Sequence, residues 1–323
     1  MEQYYIIGAQ QKTDILKDWE QYKKGIILKI SPENNSVEKC IEYTSPPEVC
    51  SKENPSVSFT AGTLSNKHLY VGTHTEVLVY SLPDFHKVGY ISLPCFNEIH
   101  HVCPTSEGNL LVVNTGLDTI LEITAQGEIL NEWHVMGENV WEYFSQDVDY
   151  RKVPTTKPHK SHPNYVFKLG DDVWATRCLQ KDAICLTNPS KKINIGRQLV
   201  HDGVVVEELI YFTQVDGYIV VVDIHTLEVV KVYNLKEMTD TDIPLGWCRG
   251  IKVLNANKVI VGFTRIRPTK KVGSDGKVYW KGEYGILPTR IACYDLKLGI
   301  ILWEQRLEDY DMNAIYSIHM VNE

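Results

Sequence analysis

Residues 99–135 read IHHVCPTSEGNLLVVNTGLDTILEITAQGEILNEWHV. Four alternating or continuously apolar runs are separated by Glu107-Gly108, by a bend at Asp118 and by Gln126-Gly127. Runs of about five to eight residues bounded by turn residues are the signal of strands, so this stretch makes one four-stranded antiparallel sheet. Its opening phrase recurs as SFTAGTLSNKHLYVGT from Ser58, HPNYVFKLGDDVWATR from His162, VHDGVVVEELIYFTQ from Val200 and WCRGIKVLNANKVIVGFTR from Trp247. A sixth copy, IYSIHMVNE from Ile315, runs into the C-terminus. Aligned, the phrases place Thr60, His101, Asn164, Asp202, Arg249 and Ser317 in one register, at gaps of 41, 63, 38, 47 and 68 residues. A unit of roughly 40 residues with several strands is the signature of a β-propeller. The expected fold is all-β, a six-bladed propeller formed by residues 1–323 as one domain, with the six aligned residues converging on its axis.

The last copy lacks three strands, and the N-terminus offers three unclaimed ones, QYYIIGAQ, KGIILKIS and SVEKCIEYT. A closed ring hides its sheet edges. The C-terminal IYSIHMV is therefore expected to pair with QYYIIGAQ and complete the sixth blade. Two segments exceed what connections require: 134–161 between blades two and three, and 266–289 between the second and third strands of blade five. In an alternating blade these connections emerge on one face, where the phrases also open. Long loops in compact folds commonly carry function, and both are expected over one mouth; unrelated surface insertions are the plainer alternative. Trp141, Tyr143, Phe144, Tyr279, Trp280 and Tyr284 fall within them, as walls of a pocket or as anchors.

Charged residues make up 23% of the chain, with a net charge of −8 and basic residues interleaved with acids, which argues against a nucleic-acid groove or an anionic membrane surface. The start, MEQYYIIGAQQKTD, lacks the pattern of a secretory signal. No apolar run reaches the roughly 18 residues of a spanning helix. The 8 cysteines form no CxxC pair and read as reduced thiols of a cytoplasmic protein.

Histidines dominate the axial register. His100 and His101, His162 with His159 just before it, His201 beside Asp202, and His319 are far apart in sequence, yet the repeat gathers them. Several imidazoles around one tunnel suit a divalent metal, with Fe, Mn or Zn favoured over Ca by nitrogen donors; hydrogen bonding to a neighbouring blade is the alternative. Asp202, Glu98 and His159 are the candidate proton carriers. Arg151, Asn164, Arg177, Gln214, Arg249 and Arg265 are the candidate substrate contacts, arginine being suited to bidentate binding of carboxylate or phosphate; pairing with acids of other blades is the competing use. Nucleophile-elbow, P-loop, dinucleotide-binding, HExxH and EF-hand motifs are absent.

The run EGNLLVVNTGLDTILEITAQGEILNEW, residues 107–133, resembles the repeat of six-bladed propellers in the broad group of gluconolactonases, paraoxonases, strictosidine synthases and NHL repeats. Calcium-dependent members of that group use mainly Glu, Asn and Asp at the axis. Asn164 and Asp202 match this pattern, whereas Thr60, His101, Arg249 and Ser317 depart from it. The histidines are similar to the all-histidine iron site of carotenoid oxygenases, which have seven blades. The function expected is a metal-dependent hydrolase, lyase or isomerase acting on a small, polar, anionic metabolite. The alternative is a non-catalytic propeller that binds a ligand or a protein partner.

Overall fold

A computed structural model describes residues 2–12, 22–53, 55–272 and 277–321. Six four-stranded antiparallel sheets form the blades of a propeller. Blade 1 comprises Thr63–Ser65, His68–Gly72, Val77–Ser81 and His86–Ile91; blade 2 comprises Ile99–Pro104, Leu110–Asn114, Thr119–Ile123 and Ile129–His134. Blades 3 and 4 begin at Pro163–Leu169 and Val204–Val206, and blade 5 at Trp247–Asn255. In blade 6 the C-terminal Ala314–Met320 pairs with Tyr4–Gln11, which is followed by Tyr22–Ser31 and Ser36–Tyr43. Ile7 sits opposite Ser317 and Tyr5 opposite His319, so the two ends of the chain close the ring as the repeat required.

The core lies between blades. Leu110, Leu111, Val112 and Val113, in the second strand of blade 2, are at most 3% exposed, because that strand is covered on both faces. Burying one such side chain is worth about 1.5–3 kcal/mol. Outer strands such as Ile129–His134 are largely exposed. The first hairpin of blade 2 turns at Gly108, whose φ of 85° lies where a side chain would clash with its own backbone.

Counting register along the innermost strands reveals what the repeat conceals. In blades 2, 3, 5 and 6 this strand carries one extra residue next to its axial end: the pairing slips between Ile99 and His101, Pro163 and Val166, Arg249 and Ile251, and opposite Ile7 and Gly8. Such bulges re-aim side chains. In blade 5 the extra residue is Gly250, with φ 71° and Ser317 Cα only 3.1 Å from where a Cβ would stand.

The segment after His134 runs through two short 3-10 turns, Val140–Glu142 and Tyr150–Lys152, before Pro163. Trp141 and Phe144 pack on Leu117, Val140 and Tyr150, as anchors. The second long segment holds a hairpin, Thr269–Val272 with Val278–Lys281; its residues 273–276 lie outside those described. All eight cysteines are unbridged. Among the described residues no helix is long and apolar enough to cross a membrane.

Candidate metal and anion site

The aligned register proves to be the seam between blades. His101 Nδ1 accepts the Val166 N–H at 3.3 Å, Asp202 accepts the Gly250 N–H at 2.8 Å, and Ser317 Oγ accepts the Gly62 N–H at 3.1 Å. Asn164 Nδ2 donates to the Val200 carbonyl at 2.8 Å. Each bond joins one blade to the next. His101 is also stacked on Tyr165, centroids 3.7 Å apart, with Nε2 3.2 Å from Thr63 Oγ1. Both of its ring nitrogens are engaged at the seam, and among the described residues it lies outside the group of side chains close enough together to hold a metal, where it was expected as a ligand.

The neighbouring residues face one another instead. His100 lies edge-on to His162 at 4.8 Å and 6.4 Å from His201. His162 stacks on His159 at 5.0 Å, and their Nδ1 atoms are 2.7 Å apart, so one donates to the other. Glu98, two residues before His100, completes the group: one donor atom from each of Glu98, His159 and His162 lies within 4.8 Å of the others.

This convergence is imposed by the 134–161 segment, which three side chains of blade 2 tie down. Asn97 Nδ2 donates to the carbonyls of Tyr150 and Val153 at 2.8 and 2.9 Å. Glu98 Oε1 accepts the Thr155 hydroxyl at 3.0 Å. Asp118 accepts the backbone N–H groups of Lys160, Ser161 and His162 at 2.7, 3.2 and 2.7 Å. Glu98 and His162 themselves adopt left-handed backbone, φ 47° and 59°. A side-chain-bearing residue there costs about 1–3 kcal/mol and persists where its surroundings dictate it, commonly at functional sites.

Protonation suits metal binding. Burial pushes His100 down to about 3 and lowers His159; His162 falls well below the ordinary imidazole value through burial and the neighbouring His100 and His159. Burial alone would raise the Glu98 carboxyl, but Lys157, 3.5 Å away, and the surrounding imidazoles bring it down to about 2. An ionised carboxylate and neutral imidazoles form the donor set that Fe, Mn or Zn accepts. His74, partly buried and close enough to Glu98 to feel its charge, belongs to this environment; it sits outside the aligned register, and nothing in the sequence singled it out.

His201 has a different arrangement. Its Nδ1 is 3.1 Å from Asp202 Oδ1, and its Nε2 is buried without a hydrogen-bond partner. The Asp202 carboxylate is already occupied by His201, Thr213 Oγ1 and the Gly250 N–H. It therefore orients His201, rather than standing free to take a proton. His319 lies apart from the Glu98 cluster, with Nε2 3.1 Å from Ser317 Oγ.

Most of the expected substrate contacts are committed within the protein. Arg151 grips Asp149, Arg177 grips Asp182 and Arg265 grips Glu308, each through a two-point fork of 2.6 to 2.9 Å. Gln214 Nε2 donates to the Gly196 and Gln198 carbonyls. Arg249 differs: its guanidinium lies 5.3 Å from the Trp247 ring and 5.2 Å from that of Tyr316. Arg267, inside the second long segment, also lies over this aromatic group, 4.5 Å from Trp247 and 5.0 Å from Tyr22, and both guanidiniums act electrostatically on Tyr22. Tyr316 in turn is 6.5 Å from His201. A continuous chain of side chains thus runs from His159 through His162, His100, His201, Tyr316, Arg249 and Trp247 to Arg267.

A comparison with protein-family models gives no match, and one with curated proteins gives none either. Among solved structures, a protein of unknown function from Bacteroides caccae superimposes with a TM-score of 0.62 at 13% identity, covering 100% of both chains. The C-terminal WD40 domain of Sif2 gives a TM-score of 0.49 at 8% identity, covering 98% of this chain and 84% of that one. The first likeness supports the propeller fold.

Proposed function

We propose that the protein is a cytoplasmic, metal-dependent enzyme of hydrolase, lyase or isomerase type, acting on a small anionic metabolite at the axial mouth. The observation that carries this reading is the meeting of Glu98, His159 and His162, brought together by a long segment pinned at both ends. These three residues would hold Fe, Mn or Zn, with His100 adjoining. The bound metal would supply Lewis acidity or an activated water. His201, held by Asp202 through Nδ1, presents Nε2 to accept or return a proton. The 134–161 segment covers Glu98 and keeps bulk water from the cluster. The two imidazole donors differ from the Glu, Asn and Asp that hold axial calcium in the gluconolactonase-like propellers, so we assign a transition metal and leave lactonase chemistry aside.

Metal analysis of untagged protein tests this. About one equivalent of Fe, Mn or Zn is expected, and H159A and H162A should each lose it while remaining folded by circular dichroism. Native protein that neither contains nor takes up any of these ions would favour the scaffold reading.

A further inference from the structure

We infer that Arg249 and Arg267 form an oxyanion-binding subsite that docks the anionic end of the ligand, independently of any metal. Arg151, Arg177, Arg265 and Arg290, the other arginines at least partly shielded from solvent, each pair with a carboxylate. Among the described residues Arg249 and Arg267 pair with no carboxylate and donate no hydrogen bond. Yet Arg267 is only 9% exposed, and the Nε atoms of both are buried without a partner. The Tyr22 hydroxyl beside Arg267 is also buried, on a residue 3% exposed, and interacts with Tyr316.

Buried charge is ordinarily balanced by an opposite charge. Here the faces of Trp247, Tyr22 and Tyr316 support the guanidinium planes and leave their N–H donors unspent. Each guanidinium offers five donors in a planar fork shaped for carboxylate or phosphate oxygens. Two such forks against one indole, with a phenol alongside, make a receptor for one such group. Tyr316 links the pair to His201, so a ligand anchored at the arginines extends toward His201 Nε2. The inference rests on the proposed function only for what befalls the ligand after binding.

Metal-stripped protein is titrated by calorimetry with sodium phosphate and, separately, sodium succinate, against sodium chloride at equal ionic strength. Saturable binding of one equivalent of either oxyanion is expected. R249Q and R267Q should each weaken it at least about tenfold, with R306Q, an exposed arginine, binding as wild type. Preference for phosphate or for succinate identifies the headgroup. If R267Q fails to fold, R267K keeps the charge without the fork and should also lose affinity. Binding no tighter than chloride, or binding unaffected by R249Q and R267Q, overturns the inference. Because metal is absent throughout, failure of the metal centre leaves this result standing, and the reverse also holds.

Discussion

The two sides of the axis bury polar groups by opposite means. Around Glu98 the groups answer one another: Thr155, Lys157, His159 and the Asp118 and Asn97 clamps form a network that fixes the approaching segment. Around Trp247 the charges are of one sign and rest on aromatic faces, with their donors unspent. The first arrangement holds a shape and, on the function proposed above, a cation. The second, with no anion of its own among the described residues, is the one proposed above to receive an anion.

The sharpest way to break this contrast is to neutralise arginines of the two kinds. Arg177 is bound to Asp182 with both side chains largely buried, so R177Q leaves that carboxylate with only Lys192, 3.9 Å away, and should cost about 3 kcal/mol in urea unfolding. R267Q removes a charge with no partner and should cost less than about 1 kcal/mol in anion-free buffer, or even stabilise. Equal losses would erase the distinction.

On the other side, E98Q should reduce affinity for Zn or Mn by more than the roughly 10–100-fold that a supporting partner is worth, measured by competition with a chelator, while R267Q leaves it unchanged. D118A frees three backbone N–H groups at once. It should lower stability by about 3 kcal/mol and weaken metal binding through His162, although Asp118 is itself no ligand.

A pH-dependent effect, absent near neutrality, concerns the seam. Burial takes His101 from an ordinary value of 6.5 down to about 3. Below pH 6.5 the unfolded chain therefore binds a proton that the folded chain refuses, and stability is lost progressively from about pH 6.5 toward pH 3. H101Q should be less stable at pH 7 and flatter across that window; an unchanged slope would show that His101 does not govern it.

The sequence disclosed the scaffold because a propeller repeats its strand and turn pattern in every blade, down to the three N-terminal strands that complete the sixth. It also pointed to the 134–161 segment and to His159, His162 and Glu98, although it read Glu98 and His159 as proton carriers and not as members of one group with His162. The exact facing of the axial side chains was hidden by the extra residue in four innermost strands. One residue of slip sends His101 to the seam and His100 to the cluster. Ion pairing was equally illegible: Arg177, Arg265 and Arg249 occupy similar strand ends, and only the positions of Asp182 and Glu308 tell that two of them are spent. Arg267 escaped notice because it belongs to no repeat, although Trp247, two residues before Arg249 on the same strand face, marked an aromatic surface there.

The metal centre is tested most directly by anomalous diffraction from crystals of untagged protein soaked in Mn or Zn, recorded on either side of the metal's absorption edge. A single strong peak between Glu98, His159 and His162, absent in H162A, is the expected result. Peaks confined to surface histidines such as His225 and His68, with nothing at the axis, would contradict it.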